Sequence, residues 1–325
     1  MLNGKTILIT GGTGSFGQTF TRMILERYKP HKVIIFSRDE FKQHQMAKSF
    51  PMEDFKIRYF LGDIRDKERL ERAFEEVDYV IHAAALKQVP ALEYNPMEAV
   101  KTNIIGANNI VDAAIDKDVK KVIALSTDKA VNPINLYGAT KLVAEKIFID
   151  ANAYGGKRTK FSVVRYGNVV ASRGSVVEHF LKLKSQKMKE FPITDEKMTR
   201  FWMTLEESVE LVLKALDEAE GGEIFIPRIP SMRIKDLAKA IEPDCSFRTV
   251  GIRPGEKINE VLVSEDESRR ARIFDSIYVV LPQFFESKEV HKKYDDCKGL
   301  PEGFTFRSDN NEDWLTAEDL KRIIA

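Results

Sequence analysis

The chain has 325 residues, with 51 Lys and Arg against 50 Asp and Glu for a formal net charge of +1. That length supports one large α/β domain or two unequal lobes, and the near-neutral balance gives no footing for nucleic acid, a membrane surface or a polyanionic partner. Two cysteines, Cys245 and Cys297, show neither metal-ligand spacing nor a disulfide framework, so no metal is expected and a reducing, cytoplasmic setting is.

Short apolar runs alternate with amphipathic stretches through the first half. Thr6–Thr10 reads as a strand, since its apolar run Ile7–Ile9 is far too short for a signal segment or a span. The series continues with a helix at Gln18–Glu26, strands at Lys32–Phe36 and Phe55–Leu61, a helix at Lys67–Phe74 and a strand at Tyr79–Ala84. A long helix Val100–Ile115, a buried strand Lys121–Ser126, a helix Leu136–Asn152 and a strand Phe161–Tyr166 follow. Strands that are apolar along their whole length, alternating with helices, predict a doubly wound parallel sheet with right-handed crossovers. After Asn168 the regularity weakens and prolines punctuate short elements. The reading therefore assigns residues 1–168 and about 205–227 to a dinucleotide-binding Rossmann domain, with a helix Glu206–Glu218 and a short strand Glu223–Ile226. Residues of about 169–204 and 228–325 fall to a smaller substrate lobe, ending in a helix Ala317–Ile324 whose role is not legible.

Directly after the first strand stands Thr10-Gly11-Gly12-Thr13-Gly14-Ser15-Phe16-Gly17. Glycines at 11, 14 and 17 permit a tight turn, close approach to a pyrophosphate and close helix-strand packing, and the helix start supplies free amides. The second strand ends in Ser37-Arg38-Asp39-Glu40. A hydroxyl and a guanidinium suit a ribose 2′-phosphate, so NADP is favoured, although Arg38 could instead pair with Asp39 or Glu40. Asp63, before Ile64, could accept from an adenine amino group or cap a helix.

Ser126-Thr127-Asp128-Lys129-Ala130 ends the fifth strand, and Tyr137 and Lys141 stand four apart on the helix after it. That spacing puts both on one face, where the ammonium is expected to lower the phenol from about 10 toward working pH. A hydroxyl, an acid, an amine and an activated phenol together can do more than a simple oxidation.

These motifs, with His82-Ala83-Ala84-Ala85-Leu86-Lys87-Gln88-Val89-Pro90, Arg165-Tyr166-Gly167-Asn168-Val169, Met198-Thr199-Arg200-Phe201 and Arg253-Pro254-Gly255-Glu256-Lys257, resemble the UDP-N-acetylglucosamine 4,6-dehydratases of the extended short-chain dehydrogenase/reductase superfamily. The nearest likeness is to the configuration-inverting, 5-epimerising enzymes of pseudaminic acid biosynthesis, and it runs from about Thr6 to about Glu260. The resemblance implies a lyase that recycles NADP, with Tyr137 as first base, Thr127 orienting the sugar, and Asp128 and Lys129 sharing the roles of acid and base in either order. It implies a UDP-sugar held by Lys87, Asn168, Arg173, Thr194, Arg200, Arg253 and Glu256, a cofactor near Ala83 and Ala84, and a homo-oligomer paired through the helices Val100–Ile115 and Leu136–Asn152. Relatives that retain the C5 configuration, 4-epimerases, and non-catalytic NADP sensors are the rival readings.

Overall fold

The computed structural model describes residues 1–52, 56–155, 158–170, 175–283 and 291–324. Six strands follow the expected order: β1 (Thr6–Thr10), β2 (Lys32–Ser37), β3 (Ile57–Leu61), β4 (Tyr79–His82), β5 (Lys121–Thr127) and β6 (Lys160–Tyr166). Phe55, expected to open the third strand, lies outside the described residues. They form one parallel sheet in the order β3-β2-β1-β4-β5-β6, with Ile224–Pro227 parallel beyond β6. Strand alternation explains why the middle of β1, Ile7–Ile9, is apolar at successive positions. Ile7 and Ile9 enter the core on one face and Leu8 the core on the other, all at 0% exposure, each contributing about 1.5–3 kcal/mol relative to an exposed side chain.

The edge of this sheet differs from the sequence reading. Residues 271–280, assigned to the second lobe, form an antiparallel hairpin, Ala271–Phe274 with Ile277–Val280, that extends the sheet to nine strands. A hairpin needs no crossover helix, so the strand-helix alternation that marks the other strands is absent there. The helix expected over Val100–Ile115 is also divided. Val100–Ile105 is a π-helical turn leading into the α-helix Gly106–Asp116, the wide-turn type often found at functional sites. Asn103 in that turn bonds Leu86 through both its N–H and its carbonyl, at 2.9 Å each, and also reaches Thr140.

The second lobe carries a three-stranded sheet, Ser231–Arg233, Thr199–Met203 and Asn168–Val169, and the pair Ser246–Thr249 with Glu190–Ile193. Its own core includes Phe180, Phe191, Trp202 and Leu237. The final helix, Ala317–Ile324, has the bounds expected and sends Leu320 into that core. Among the described residues no helix is long and apolar enough to cross a membrane.

Candidate active site

The strand order reverses between β2 and β4 on either side of β1, and a cavity of about 680 Å³ opens at the carboxyl ends of these strands. Gly11 has φ +66, and a Cβ there would come within 2.9 Å of the Ala84 backbone, so glycine alone lets the first loop run against the loop after β4. Gly14 donates to the Gly11 carbonyl at 2.9 Å and then caps the helix Ser15–Arg27 without a side-chain bond. Thr13, Ser15, Phe16 and Gly17 line the cavity, so the open amides and positive end of that helix serve it. The backbone clearance and the charge both fit a dinucleotide diphosphate.

At the end of β2, Ser37 is buried and its hydroxyl accepts from Gln43 Nε2 at 3.1 Å. Asp39 also lines the cavity, where it accepts from Lys42 N at 3.0 Å and pairs with Lys42 Nζ at 3.0 Å. The Lys42 amide and ammonium together hold its carboxyl below the usual range. Arg38 is exposed and lies 3.5 Å from Asp63. Asp63 caps no helix, because Asp66 caps Lys67–Ala73. Asp63 instead accepts from Arg65, which outweighs burial and lowers its pKa. Ile64 lines the cavity beside it.

The reactive groups gather where β5 ends. Asp128–Ala130 form a single 3-10 turn, which Thr127 caps by accepting from Lys129 N at 3.4 Å, and the same hydroxyl donates to Asp128 Oδ1 at 3.0 Å. The helix Leu136–Tyr154 lies hard against this turn. Gly138 sits over the Lys129 carbonyl with no room for a Cβ, and Asn135 caps the helix, accepting from Gly138 N at 2.7 Å. That packing brings Tyr137 and Lys141 beside Thr127 and Lys129 in the cavity wall.

Lys129 Nζ donates to Asp128 Oδ1 at 3.0 Å and pairs with Glu260 Oε1 at 3.2 Å. Burial opposes the ammonium, but the two carboxylates outweigh it and hold Lys129 above the usual lysine range. Asp128 is fully buried and its pKa is raised, by burial first and by Glu260, with Lys129 opposing.

Tyr137 corrects the expectation from spacing. Burial pushes its phenol up to about 12, and the groups acting against burial are Lys129 and a hydrogen bond with Thr127. The Lys141 ammonium donates to the Leu125 carbonyl at 2.6 Å, and burial brings it down to about 8. A shared helix face sets the direction of the two side chains. It does not decide which acceptor the amine takes.

Ala83, Ala84, Lys87 and Asn168 also line the cavity. Lys87 is lowered by burial and by nearby Lys129. His82 is structural: it shares a 2.8 Å hydrogen bond with Thr10 Oγ1, and burial with Lys141 pushes it down to about 3. Thr194, Arg200, Arg253 and Glu256 stand outside the cavity wall. The Arg200 fork is filled by carbonyls, of Thr199 at 2.7 Å and of Lys257 and Ile258 at 2.9 Å each, so it braces the 253–260 loop. Glu256 accepts from Thr194 Oγ1 at 3.2 Å and from Arg253 N at 3.4 Å. Arg173 lies outside the described residues. Glu260 and Lys257 were not assigned roles: Lys257 ends the Arg253–Lys257 motif and Glu260 lies just past it, but nothing local shows that either side chain reaches the turn at Asp128–Ala130. Lys257 Nζ reaches the Val131 carbonyl at 2.7 Å.

A family model described as polysaccharide biosynthesis protein matches residues 7–282. The chain belongs to that family. It is 53% identical, over 100% of its length and 98% of the relative's, to a Campylobacter jejuni protein named UDP-N-acetylglucosamine 4,6-dehydratase (inverting). A Rickettsia bellii UDP-glucose 4-epimerase is 45% identical over 86% of this chain and 83% of its own. The X-ray structure of Pen from Bacillus thuringiensis superposes with a TM-score of 0.90 at 37% identity, covering 100% of this chain and 98% of that one. The resemblance read from the motifs therefore extends through the tail.

Proposed function

We propose that this protein converts UDP-N-acetylglucosamine to UDP-2-acetamido-2,6-dideoxy-L-arabino-hexos-4-ulose, an inverting 4,6-dehydration with recycled NADP that opens pseudaminic acid synthesis. The observation that carries this reading is the Asp128–Lys129 couple, joined at 3.0 Å beside Tyr137. A simple oxidoreductase has no use for an acid and an amine beside its phenol. The C. jejuni likeness, at 53% identity over the full chain, supports both reaction and substrate.

The glycine loop, Ser37 and Arg38 would hold the cofactor, whose nicotinamide would supply reversible hydride transfer between C4 and C6. The chain handles the protons. Tyr137 takes the proton of the C4 hydroxyl, oriented by Thr127, and the resulting ketone acidifies the hydrogen at C5. A proton shift from Lys129 Nζ to Asp128 Oδ1, along their hydrogen bond, creates a neutral amine and a neutral acid together. The amine takes the C5 proton. The acid protonates the C6 hydroxyl, which leaves as water, so the couple returns to ammonium and carboxylate. Reprotonation of C5 from the opposite face by the Tyr137 phenol, which carries the proton taken from the C4 hydroxyl, inverts that centre and resets the base. The raised carboxyl of Asp128 supports its part as acid.

Asn168 and Lys87 suit the sugar end of the cavity. Arg253, Glu256, Thr194 and Arg173 suit the uridine diphosphate, with Arg200 bracing the 253–260 loop. Exposed Tyr94, Met97, Ile105 and Val143, on the helices flanking Leu136–Tyr154 and on that helix itself, support self-association there. A cytoplasmic location accords with the free cysteines.

A proton-NMR time course with UDP-N-acetylglucosamine in deuterated water tests the reading. The expected product has a C6 methyl group, deuterium at C5 and the L-arabino configuration. A 4-epimer that keeps its C6 hydroxyl, or a product with the original C5 configuration, would refute it. For the cofactor, Arg38→Ala is expected to weaken NADP binding roughly 10- to 100-fold while sparing NAD. Titration of both dinucleotides checks this, and an equal loss for the two would reduce Arg38 to a structural residue.

A further inference from the structure

Glu260 reaches the catalytic turn from the second lobe. Its backbone is pinned on both sides, its N–H donating to Ser308 Oγ at 2.9 Å and its carbonyl accepting from Ser308 N at 2.9 Å. The side chain is 2% exposed, with Oε1 3.2 Å from Lys129 Nζ. Arg200 Nε stands 3.8 Å from Oε1 and Lys257 Nζ 3.8 Å from Oε2. Oε2 has no hydrogen-bond partner among the described residues. Removing a carboxylate from water costs several kcal/mol unless close partners repay it. Of the three cations around Glu260, the nearest is the amine assigned to C5.

We propose that Glu260 is a positioning residue for Lys129, its carboxylate fixing the amine over the turn and governing the proton that passes between Lys129 and the sugar. This inference rests on the dehydration proposed above. Glu260 exchanges no proton itself. Lys129 gives one to Asp128, takes one from C5, and Asp128 passes its proton to the departing C6 oxygen. A fixed negative charge 3.2 Å from Nζ favours the ammonium formed when C5 loses its proton. The same charge disfavours ionised Asp128, so the acid keeps its proton until the C6 hydroxyl leaves. The other groups facing this couple are Tyr137, Lys87, Arg200 and Lys257. The three cations among them all work against the Lys129 ammonium. Glu260 is their counterweight.

The test compares wild type, Glu260→Gln and Glu260→Asp in the full chain with NADP and UDP-N-acetylglucosamine, reading C4 oxidation and C5 deuterium incorporation across pH. In Glu260→Gln the ratio of C5 exchange to C4 oxidation is expected to fall by about 10- to 100-fold. The alkaline limb of exchange, set by loss of the proton shared by Asp128 and Lys129, should move down by about one to three pH units. Glu260→Asp should recover part of both. An unmoved limb, or oxidation and exchange falling in step, would show a merely structural role. Wild type without any C5 exchange would sink the dehydration reading itself, whereas exchange with an unmoved limb sinks this inference alone.

Discussion

Lys129→Ala is expected to cut formation of the dehydrated sugar by about 10³-fold or more, because one substitution removes the C5 base and the proton source for Asp128. The variant should still bind NADP, since the glycine loop and Ser37 lie at the other end of the cavity. With oxidation possible and elimination blocked, absorbance of the reduced cofactor should accumulate when UDP-N-acetylglucosamine is added. Lys129→Arg sharpens the test. It keeps a positive charge between Asp128 and Glu260, but a guanidinium does not give up its proton in proteins. The Arg variant should therefore unfold close to wild type and yet be as inactive in dehydration as Lys129→Ala. Recovery of turnover by Lys129→Arg would mean that charge alone is needed there, and the amine would lose its role as base.

How much of this was legible in the sequence depends on how far apart the interacting residues lie. The parallel strands were readable because both faces of each are covered, which leaves apolar runs such as Ile7–Ile9 with no solvent-facing position. The glycine loop and the Tyr137–Lys141 spacing were equally readable, each being a local pattern with a local geometric consequence. Chain proximity also gave Asp128 and Lys129, but not their charges. Those depend on Glu260, delivered by the second lobe, and no periodicity reports such a contact. Arg200 shows the opposite error. It was expected to hold the UDP-sugar, but the fork is filled by backbone carbonyls, of its strand neighbour Thr199 and of Lys257 and Ile258 in the loop that carries Glu260. The hairpin at 271–280 escaped because antiparallel neighbours lack the intervening helix on which the strand-helix reading depends.

Tyr137→Phe is expected to slow C4 oxidation by about 10²- to 10⁴-fold, the usual worth of a positioned base, and to change how the step responds to pH. The phenol is pushed up to about 12 and the Lys141 ammonium brought down to about 8, both by burial. At low pH both groups keep their protons and no base is available. As pH rises through about 8 Lys141 loses its proton first, while the Tyr137 phenolate that can accept the C4 hydroxyl proton keeps growing toward about 12. Since kcat/KM reports the free protein, it should climb about tenfold per unit across this range without levelling off near 8. Tyr137→Phe should remove the climb with the rate. Stopped-flow measurement of cofactor reduction between about pH 6 and 10 decides the matter: a flat wild-type profile, or a Phe variant that oxidises at the wild-type rate, would take the role of first base away from Tyr137.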